Sequence, residues 1–210
     1  MIGGGGFLGV NLCRRLASSG VRVRAFGRRC PFPQDLEGVE WRQGDFSDTA
    51  ALASAIESYE ILFHLVQTNT PQSANLDMAG DVRQNVISSL ALLDISRKLQ
   101  VKRIVFVSFG GTVYGEPKEL PTPETAPTDP ITAYGISKLA IEKYLALYEH
   151  LYGLSFRVLR VANPFGPFQT ATKNQGIIAA LISRGLDNEN IDIWGDGSVV
   201  RDFVFVDDAR

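Results

Sequence analysis

The chain has 210 residues and a formal net charge of −2 at pH 7, with 45% hydrophobic and 21% charged residues. These values are ordinary for a globular protein of one large domain, or of one domain with part of another. The small net charge argues against nucleic acid or an anionic membrane as the main partner. The two cysteines are too few for a disulfide framework and lack metal-ligand spacing. No apolar run reaches membrane-helix length and no signal pattern opens the chain, so we expect a cytoplasmic protein without a metal site.

A glycine-rich stretch, GGGGFLG, fills positions 3–9. It fits either GxxGxxG or, from the fourth residue, GxGxxG, and both spacings place a pyrophosphate at the amino end of a helix. A buried strand of about five residues should precede such a motif, but only two residues do. The first strand is therefore either missing from the chain or unusually short. The residues expected to contact the dinucleotide are Gly3, Gly6, Phe7, Leu8 and Gly9.

The second predicted strand, residues 21–26, ends at Gly27, where an acidic residue would bind the ribose hydroxyls of NAD. Arg28 and Arg29 follow instead. Without the acid a 2′-phosphate is not repelled, and guanidinium groups suit phosphate, so the pattern favours NADP over NAD. The alternative is that both arginines are solvated side chains on a turn.

The middle of the chain predicts alternating strands and helices. Residues 39–42 form a short third strand, and the nearby Asp45 either accepts from the adenine amino group or caps a helix over residues 49–58. Residues 61–66 are a continuous apolar run, typical of a strand buried on both faces, and His64 within it is expected to be a core histidine. An amphipathic helix over residues 81–99 carries Asn85. The next strand, residues 103–107, brings Ser108 to the carboxyl end of the sheet, where ligands gather.

The last part continues the alternation. Residues 115–130 hold five prolines and predict an ordered loop. A helix follows over residues 133–152, then a strand over 155–161, a turn over 163–167, a helix near 176–183, and short strands over 191–194 and 203–206. The βαβ order predicts an α/β protein with a doubly wound parallel sheet of the Rossmann type, its first strand truncated.

Tyr134 and Lys138 lie four residues apart on one helix face. A phenol has a pKa near 10, so to act as a base near pH 7 its pKa must fall by about 3 units, or roughly 4 kcal/mol. A positive charge at about 4–5 Å supplies approximately that much at an effective dielectric near 20. The pair therefore predicts an acid/base site, although such a pair alone is a weak signal.

The order of these motifs resembles the extended short-chain dehydrogenase/reductases of the NAD(P)-dependent epimerase/dehydratase family. The resemblance runs almost from end to end, and each motif is individually weak. The matching residues are Gly3, Gly6, Gly9, Gly44, Asp45, His64, Leu65, Asn85, Ser108, Val113, Tyr114, Gly115, Tyr134, Lys138, Leu159, Arg160, Asn163, Pro164, Gly195, Asp196, Gly197, Arg201 and Asp202.

The resemblance implies a sugar-nucleotide substrate, a tightly bound nicotinamide cofactor, and a homodimer formed through the helices near residues 81–99 and 133–152. It makes Tyr134 the acid/base, with Lys138 lowering its pKa and binding the nicotinamide ribose. Asn163 and Arg201 would contact the substrate's nucleotide or diphosphate. Residues 1–165 would bind the cofactor, and residues 166–210 would be an incomplete substrate-binding part. Further cofactor contacts are expected from Arg28, Asp45, Phe46, Leu65, Asn85, Val107, Ser108 and Asn163.

Two positions depart from the family pattern. A serine or threonine is usual at the place of Gly110, so either Ser108 or Thr112 would supply the hydroxyl. We favour Thr112, although a role for it as a turn cap is about equally consistent with the sequence. Related dehydratases carry an acidic pair where Gly111 and Thr112 stand, which disfavours dehydration.

The leading hypothesis is an epimerase that inverts C4 of a UDP-sugar through a 4-keto intermediate. An NADPH-dependent reductase of a keto sugar nucleotide is the first alternative. The second is a cofactor-binding but inactive fragment, either through the substitution at Gly110 or because the first strand and the substrate domain both look incomplete.

Overall fold

The structure is a computed structural model that describes residues 1–170, 176–190 and 195–209. In this part of the chain, parallel strands form a central sheet. β1 pairs with β2, and β4 lies between β3 and β5. The strands are β1 Val23–Gly27, β2 Val39–Gln43, β3 Ile61–His64, β4 Arg103–Phe109 and β5 Ser155–Val161.

Ile2 joins the two groups of strands. It forms parallel bridges to Phe26 of β1 and to His64 of β3. Its amide donates to the Phe63 carbonyl at 2.8 Å, and its carbonyl accepts from the Leu65 amide at 2.9 Å. The strand order is therefore β2, β1, Ile2, β3, β4, β5. Ile2 therefore occupies the central strand position of the sheet, where the sequence predicted the first strand.

Helices cover both faces of the sheet, as the doubly wound prediction requires. The helices α2, α5 and α7 pack on one face around a core that includes Leu52, Leu92 and Phe106, whereas α1 packs on the other face through Val10 and Cys13. A 3₁₀ turn covers Pro33–Asp35, and a π-helical segment, Val82–Ile87, joins α4 to α5. No described helix is both long and apolar enough to cross a membrane. The helices are α1 Phe7–Ser18, α2 Thr49–Ile56, α3 Pro71–Leu76, α4 Met78–Asp81, α5 Ser88–Lys98, α6 Gly110–Val113, α7 Ala133–Tyr152 and α8 Ile177–Leu186.

Several predicted boundaries need correction. The helix predicted over residues 81–99 is interrupted by the π-helical segment, and β4 extends to Phe109, so Ser108 lies inside a strand. Residues 163–167, predicted as a turn, begin with a strand, β6 Asn163–Phe165, which pairs in parallel with β7 Phe203–Phe205. The prediction was wrong because this pairing depends on a partner about 40 residues away.

The strand predicted over 191–194 lies outside the described residues. The domain division after residue 165 stays a prediction.

Candidate active site

The glycine-rich stretch forms a tight turn between Ile2 and α1. Gly3 has a φ of +88°, and a Cβ at Gly9 would lie 2.3 Å from the Gly3 carbonyl oxygen, so this approach needs glycine. Gly6 is the N-cap of α1 and has no side-chain cap. Within the described residues the amide groups of Phe7 and Leu8 have no hydrogen-bond partner. Free donors at the positive end of a helix suit the oxygens of a phosphate group, and the predicted dinucleotide fits this turn.

The carboxyl ends of β3 and β4 face the same side of the molecule as this turn. Leu65, which follows β3, and Val107, in β4, line one apolar cleft with Leu8 of α1. The fold thus brings together three residues that the sequence predicted separately as cofactor contacts. The contact itself stays a prediction.

Helix α7 carries Tyr134 and Lys138 to this end of the sheet. The Thr132 hydroxyl caps the helix by accepting from the Gly135 amide at 3.1 Å. The ammonium of Lys138, only 3% exposed, donates to the Val107 carbonyl at 3.0 Å and lies 5.8 Å from the centre of the Tyr134 ring. The Tyr134 hydroxyl has no hydrogen-bond partner in the part of the chain that the structure describes. It is therefore available to a bound ligand.

Burial dominates the electrostatics of this pair. Desolvation, with a smaller contribution from Asp81, raises the pKa of Tyr134 to about 12. Desolvation also lowers the pKa of Lys138 to about 7, against the opposing effect of Asp81 and Glu142. The expectation that Lys138 makes the phenol acidic is thus wrong for the protein alone. Burial removes the hydration that stabilises a phenolate, and an amine with a pKa near 7 is only partly charged at neutral pH.

The two hydroxyls considered as replacements for the one missing at Gly110 are both engaged. Ser108 is 2% exposed and donates to a Glu142 carboxylate oxygen at 2.5 Å. The Thr112 hydroxyl lies 3.5 Å from the Phe109 carbonyl, the geometry of a weak turn cap. Its catalytic role stays a prediction.

Asn85 lies in the π-helical segment and is 1% exposed. Its side-chain oxygen accepts from the amide of Thr68 at 3.1 Å, and its side-chain nitrogen donates to the carboxylate of Asp81 at 2.9 Å. Through the bond to Thr68, Asn85 fixes the position of the loop after β3. A direct contact with the cofactor, as predicted, would have to replace or share these bonds.

The residues predicted near the adenosine end lie at the carboxyl ends of β1 and β2. Arg28 is exposed, and its charge contributes to lowering the pKa of Asp45, after hydrogen bonds from Ser47. Asp45 does not cap α2, since Asp48 accepts from the amides of Ala50 and Ala51 instead. The side chain of Phe46 belongs to the core, so its backbone is the part that can face a ligand.

The predicted substrate residues lie on β6 and on the segment before β7. The amide side chain of Asn163 donates to the Asp202 carbonyl at 2.8 Å, which fixes the pairing of these segments. Arg201 is exposed and donates to its neighbour's carbonyl, that of Val200. The fold places both on the carboxyl side of the strands, and their contact with substrate stays a prediction.

The sequence reading missed the buried polar residues that surround the pair. The Asp81 carboxylate is fully buried and accepts from the Ser137 hydroxyl at 2.5 Å. Glu142, 8% exposed, accepts three hydrogen bonds from Arg160, the shortest at 2.6 Å. One signal was present: Asp81 lies four residues before Asn85, and Glu142 four after Lys138, so both lie on helix faces that carry site residues.

Gln67 was also missed, and both polar atoms of its side chain are buried without a partner among the described residues.

Comparison with known proteins adds to this geometry. The model of the NAD dependent epimerase/dehydratase family matches residues 1–209. A curated protein of Methanocaldococcus jannaschii described as a putative UDP-glucose 4-epimerase is 40% identical over 152 residues, which are 71% of this chain and 49% of that protein. The UDP-glucose 4-epimerase of Mycolicibacterium smegmatis is 33% identical and covers 99% of this chain.

Solved structures of epimerases are also similar to this chain. The crystal structure of UDP-glucose 4-epimerase with UDP-glucose from Thermotoga maritima superposes with a TM-score of 0.94 at 35% identity, over 99% of this chain and 69% of that one. The chain spans about half the length of the Methanocaldococcus protein and 69% of the length of the Mycolicibacterium enzyme.

Proposed function

Since the chain belongs to the NAD dependent epimerase/dehydratase family, we propose that it is a sugar-nucleotide epimerase of the extended short-chain dehydrogenase/reductase type. The reaction is inversion of C4 of a UDP-sugar through a 4-keto intermediate. One observation carries the proposal: the Tyr134 ring centre lies 5.8 Å from the ammonium of the buried Lys138, at the end of the sheet where the glycine turn also lies, and the Tyr134 hydroxyl is unpaired among the described residues. The residues Gly3, Gly6, Phe7, Leu8 and Gly9 would hold the diphosphate of a nicotinamide dinucleotide.

Tyr134 moves the proton in this reaction. It takes the proton of the C4 hydroxyl as the sugar is oxidised and returns it after the keto sugar has turned over. A bound nicotinamide would supply the hydride chemistry at C4, which no side chain of the protein can supply. The pKa of about 12 means that Tyr134 is protonated in the protein alone. The phenol therefore needs a further positive charge to act as a base near neutral pH, and an oxidised nicotinamide carries one. Lys138 orients the site through its bond to Val107.

The test is to incubate the protein with NAD and UDP-galactose and to follow C4 inversion by NMR of the sugar anomeric protons. We expect UDP-glucose to form without net change in the amount of reduced cofactor. Tyr134→Phe should reduce turnover by about 10²–10⁴-fold and leave dinucleotide binding intact, since general acid/base catalysis has that size. Tyr144→Phe, an exposed tyrosine of the same helix, is the matched control. Dinucleotide binding without turnover in the wild type would instead support an inactive fragment.

The exposed Arg28 favours a second candidate, a reductase of a keto sugar nucleotide that consumes NADPH. The acidic pair used for dehydration is replaced by Gly111 and Thr112, so both candidates are oxidoreductive reactions without elimination. Stoichiometric loss of NADPH with a 4-keto sugar nucleotide would identify the reductase, because an epimerase returns its hydride.

The preference for NADP also rests on Arg28. A guanidinium group that binds a 2′-phosphate contributes a charge-assisted hydrogen bond, so Arg28→Ala should weaken NADP binding by roughly 10–100-fold. The affinity for NAD should stay unchanged. Calorimetric titration with both dinucleotides measures the two affinities, and Arg157→Ala, an exposed arginine of β5, is the control. An equal loss of affinity for NAD and NADP would show that Arg28 does not distinguish a 2′-phosphate from a 2′-hydroxyl.

The remaining parts of the proposal concern assembly and location. A homodimer would form through the helices near residues 81–99 and 133–152, whose outer faces expose Ile87, Leu147 and Leu151. Cys13 and Cys30 are free thiols, which suits the reducing cytoplasm.

A further inference from the structure

Asp81 and Lys138 are two buried ionisable groups beneath the candidate active site. Asp81 is fully buried and Lys138 is 3% exposed. Within the described ranges, neither forms an ion pair within 4.0 Å. Burying a single charge costs several kcal/mol unless hydrogen bonds and an opposite charge compensate for it. An opposite charge in the same interior would therefore favour the charged form of each group.

The other charged groups facing this interior are already neutralised. Glu142, one turn after Lys138 on α7, is bound by two guanidinium nitrogens of Arg160. His64, on β3, is buried and its pKa falls to about 3, because its imidazole is desolvated and Lys138 is near. It is therefore uncharged at neutral pH. Tyr134 is protonated. Of the ionisable groups in this interior, the Asp81 carboxyl and the Lys138 amine are left without an ionic partner within 4.0 Å among the described residues.

Hydrogen bonds hold Asp81 in its place. One carboxylate oxygen accepts from the side-chain amides of Asn69 and Asn85 at 3.0 and 2.9 Å, and the other accepts from the Ser137 hydroxyl. Ser137 directly precedes Lys138 on α7. Asn69 belongs to the loop after β3, so the same carboxylate connects this loop, the helix before the π-helical segment and α7.

We propose that Asp81 is the counter-charge of Lys138 and a positioning residue for the Tyr134–Lys138 pair. Asp81 favours the ammonium form of Lys138, since opposite charges in a poorly solvated interior stabilise each other. It disfavours the phenolate of Tyr134, because two negative charges repel. Asp81 thus increases the fraction of Lys138 that is charged at a given pH and favours the protonated phenol of Tyr134. The importance of Asp81 for catalysis rests on the proposed function. The effect of Asp81 on the charge state of Lys138 does not depend on that function.

The first test is an NMR titration of the side-chain ¹³Cε signals of labelled lysines in the cofactor-free protein. The Lys138 signal is identified by its absence in Lys138→Met. In the wild type its midpoint should lie near 7. In Asp81→Asn the midpoint should fall by about 1 unit or more, the usual effect of losing a nearby opposite charge. An unchanged midpoint would overturn the proposal.

Asp94→Asn is the matched control for this titration. Asp94 is a carboxylate of the neighbouring helix α5, but it is largely exposed and accepts from the hydroxyl of Tyr148. The variant should leave the midpoint of Lys138 as it is in the wild type. An equal shift in both variants would mean a general charge effect and would also contradict the proposal.

A double-mutant cycle covers the case in which Asp81→Asn does not fold. The variant Asp81→Asn/Lys138→Met contains neither unpaired charge, so it should be more stable to urea than the sum of the single effects predicts, or should fold where Asp81→Asn alone does not. If the double variant fails to fold while Lys138→Met folds, Asp81 is only structural and the proposal is wrong. Neither measurement depends on turnover, so failure of the proposed function would be seen separately.

Discussion

His64 shows how the environment of one residue sets its chemistry. The ring is 1% exposed, lies between the rings of Phe46 and Phe106, and bonds to the Ser89 hydroxyl at 2.8 Å through Nε2. Desolvation lowers its pKa from 6.5 to about 3. The sequence reading of His64 as a core histidine is confirmed. An unfolded chain binds a proton at this residue near pH 6, whereas the folded chain does not.

This difference predicts a specific acid sensitivity. The pKa is lowered in the folded state, so the contribution of His64 to stability is complete above about pH 6.5 and is lost as the pH falls towards 3. Within this window the free energy of unfolding should fall by about 1.4 kcal/mol per pH unit on account of His64. Urea unfolding at a series of pH values should show this extra slope in the wild type and not in His64→Gln.

The other histidine of the chain provides the control. His150 is exposed near the end of α7. His150→Gln should therefore keep the wild-type slope below pH 6.5. If His64→Gln kept the same slope as well, the acid sensitivity would have another source.

At the scale of elements, the glycine turn and α1 act as one unit. The turn presents the free amide donors of the first turn of α1, and α1 approaches the backbone of Gly3 and Gly4 closely. The same contact anchors α1 against the short strand at Ile2. Cofactor binding and local packing therefore depend on the same glycines.

Gly9→Ala tests this dependence. The added methyl group would lie 2.3 Å from the Gly3 oxygen and 2.7 Å from Gly4 Cα, which are backbone atoms that cannot turn away. We expect a loss of about 1–3 kcal/mol in the free energy of unfolding, the usual cost of overpacking, together with weaker dinucleotide binding. Urea unfolding and calorimetry measure the two effects.

Gly185→Ala is the matched control, since a methyl group there meets no atom within 4 Å. This glycine lies in α8, so alanine should keep or raise stability by up to about 1 kcal/mol. A Gly9→Ala protein as stable as wild type would mean that the turn can relax.

At the scale of the whole molecule, α5 and α7 lie side by side on one face of the sheet. Their inner sides fill the core with Leu92, Leu93, Ile141 and Leu145. Their outer sides expose large apolar residues, which suits the proposed dimer.

Leu147→Arg tests the proposed dimer. Leu147 is 44% exposed on α7, and a charge there should be buried without a partner in the dimer. We expect the wild type to be a dimer and this variant to be largely a monomer by analytical ultracentrifugation. Leu186→Arg, at the 79% exposed end of α8, should remain a dimer. A monomeric wild type would refute the dimer.

The sequence by itself determined the elements whose signals are local. Apolar periodicity predicted a helix after Tyr134, the continuous apolar runs predicted buried parallel strands, and the spacing of glycines predicted the turn before α1. The Tyr134–Lys138 pair was visible for the same reason, because four residues along a helix fix a shared face.

Tertiary structure alone decided the features that depend on distant partners. Ile2 takes part in the sheet because it pairs with β1 on one side and with β3 on the other. Asn163 lies in a strand because its backbone and side-chain amides donate to the Asp202 carbonyl. The burial that raises the pKa of Tyr134 and lowers that of Lys138 also comes from the packed sheet and helices. A sequence shows which charges a chain carries, but their energies depend on how much water folding removes and on which other charges remain nearby.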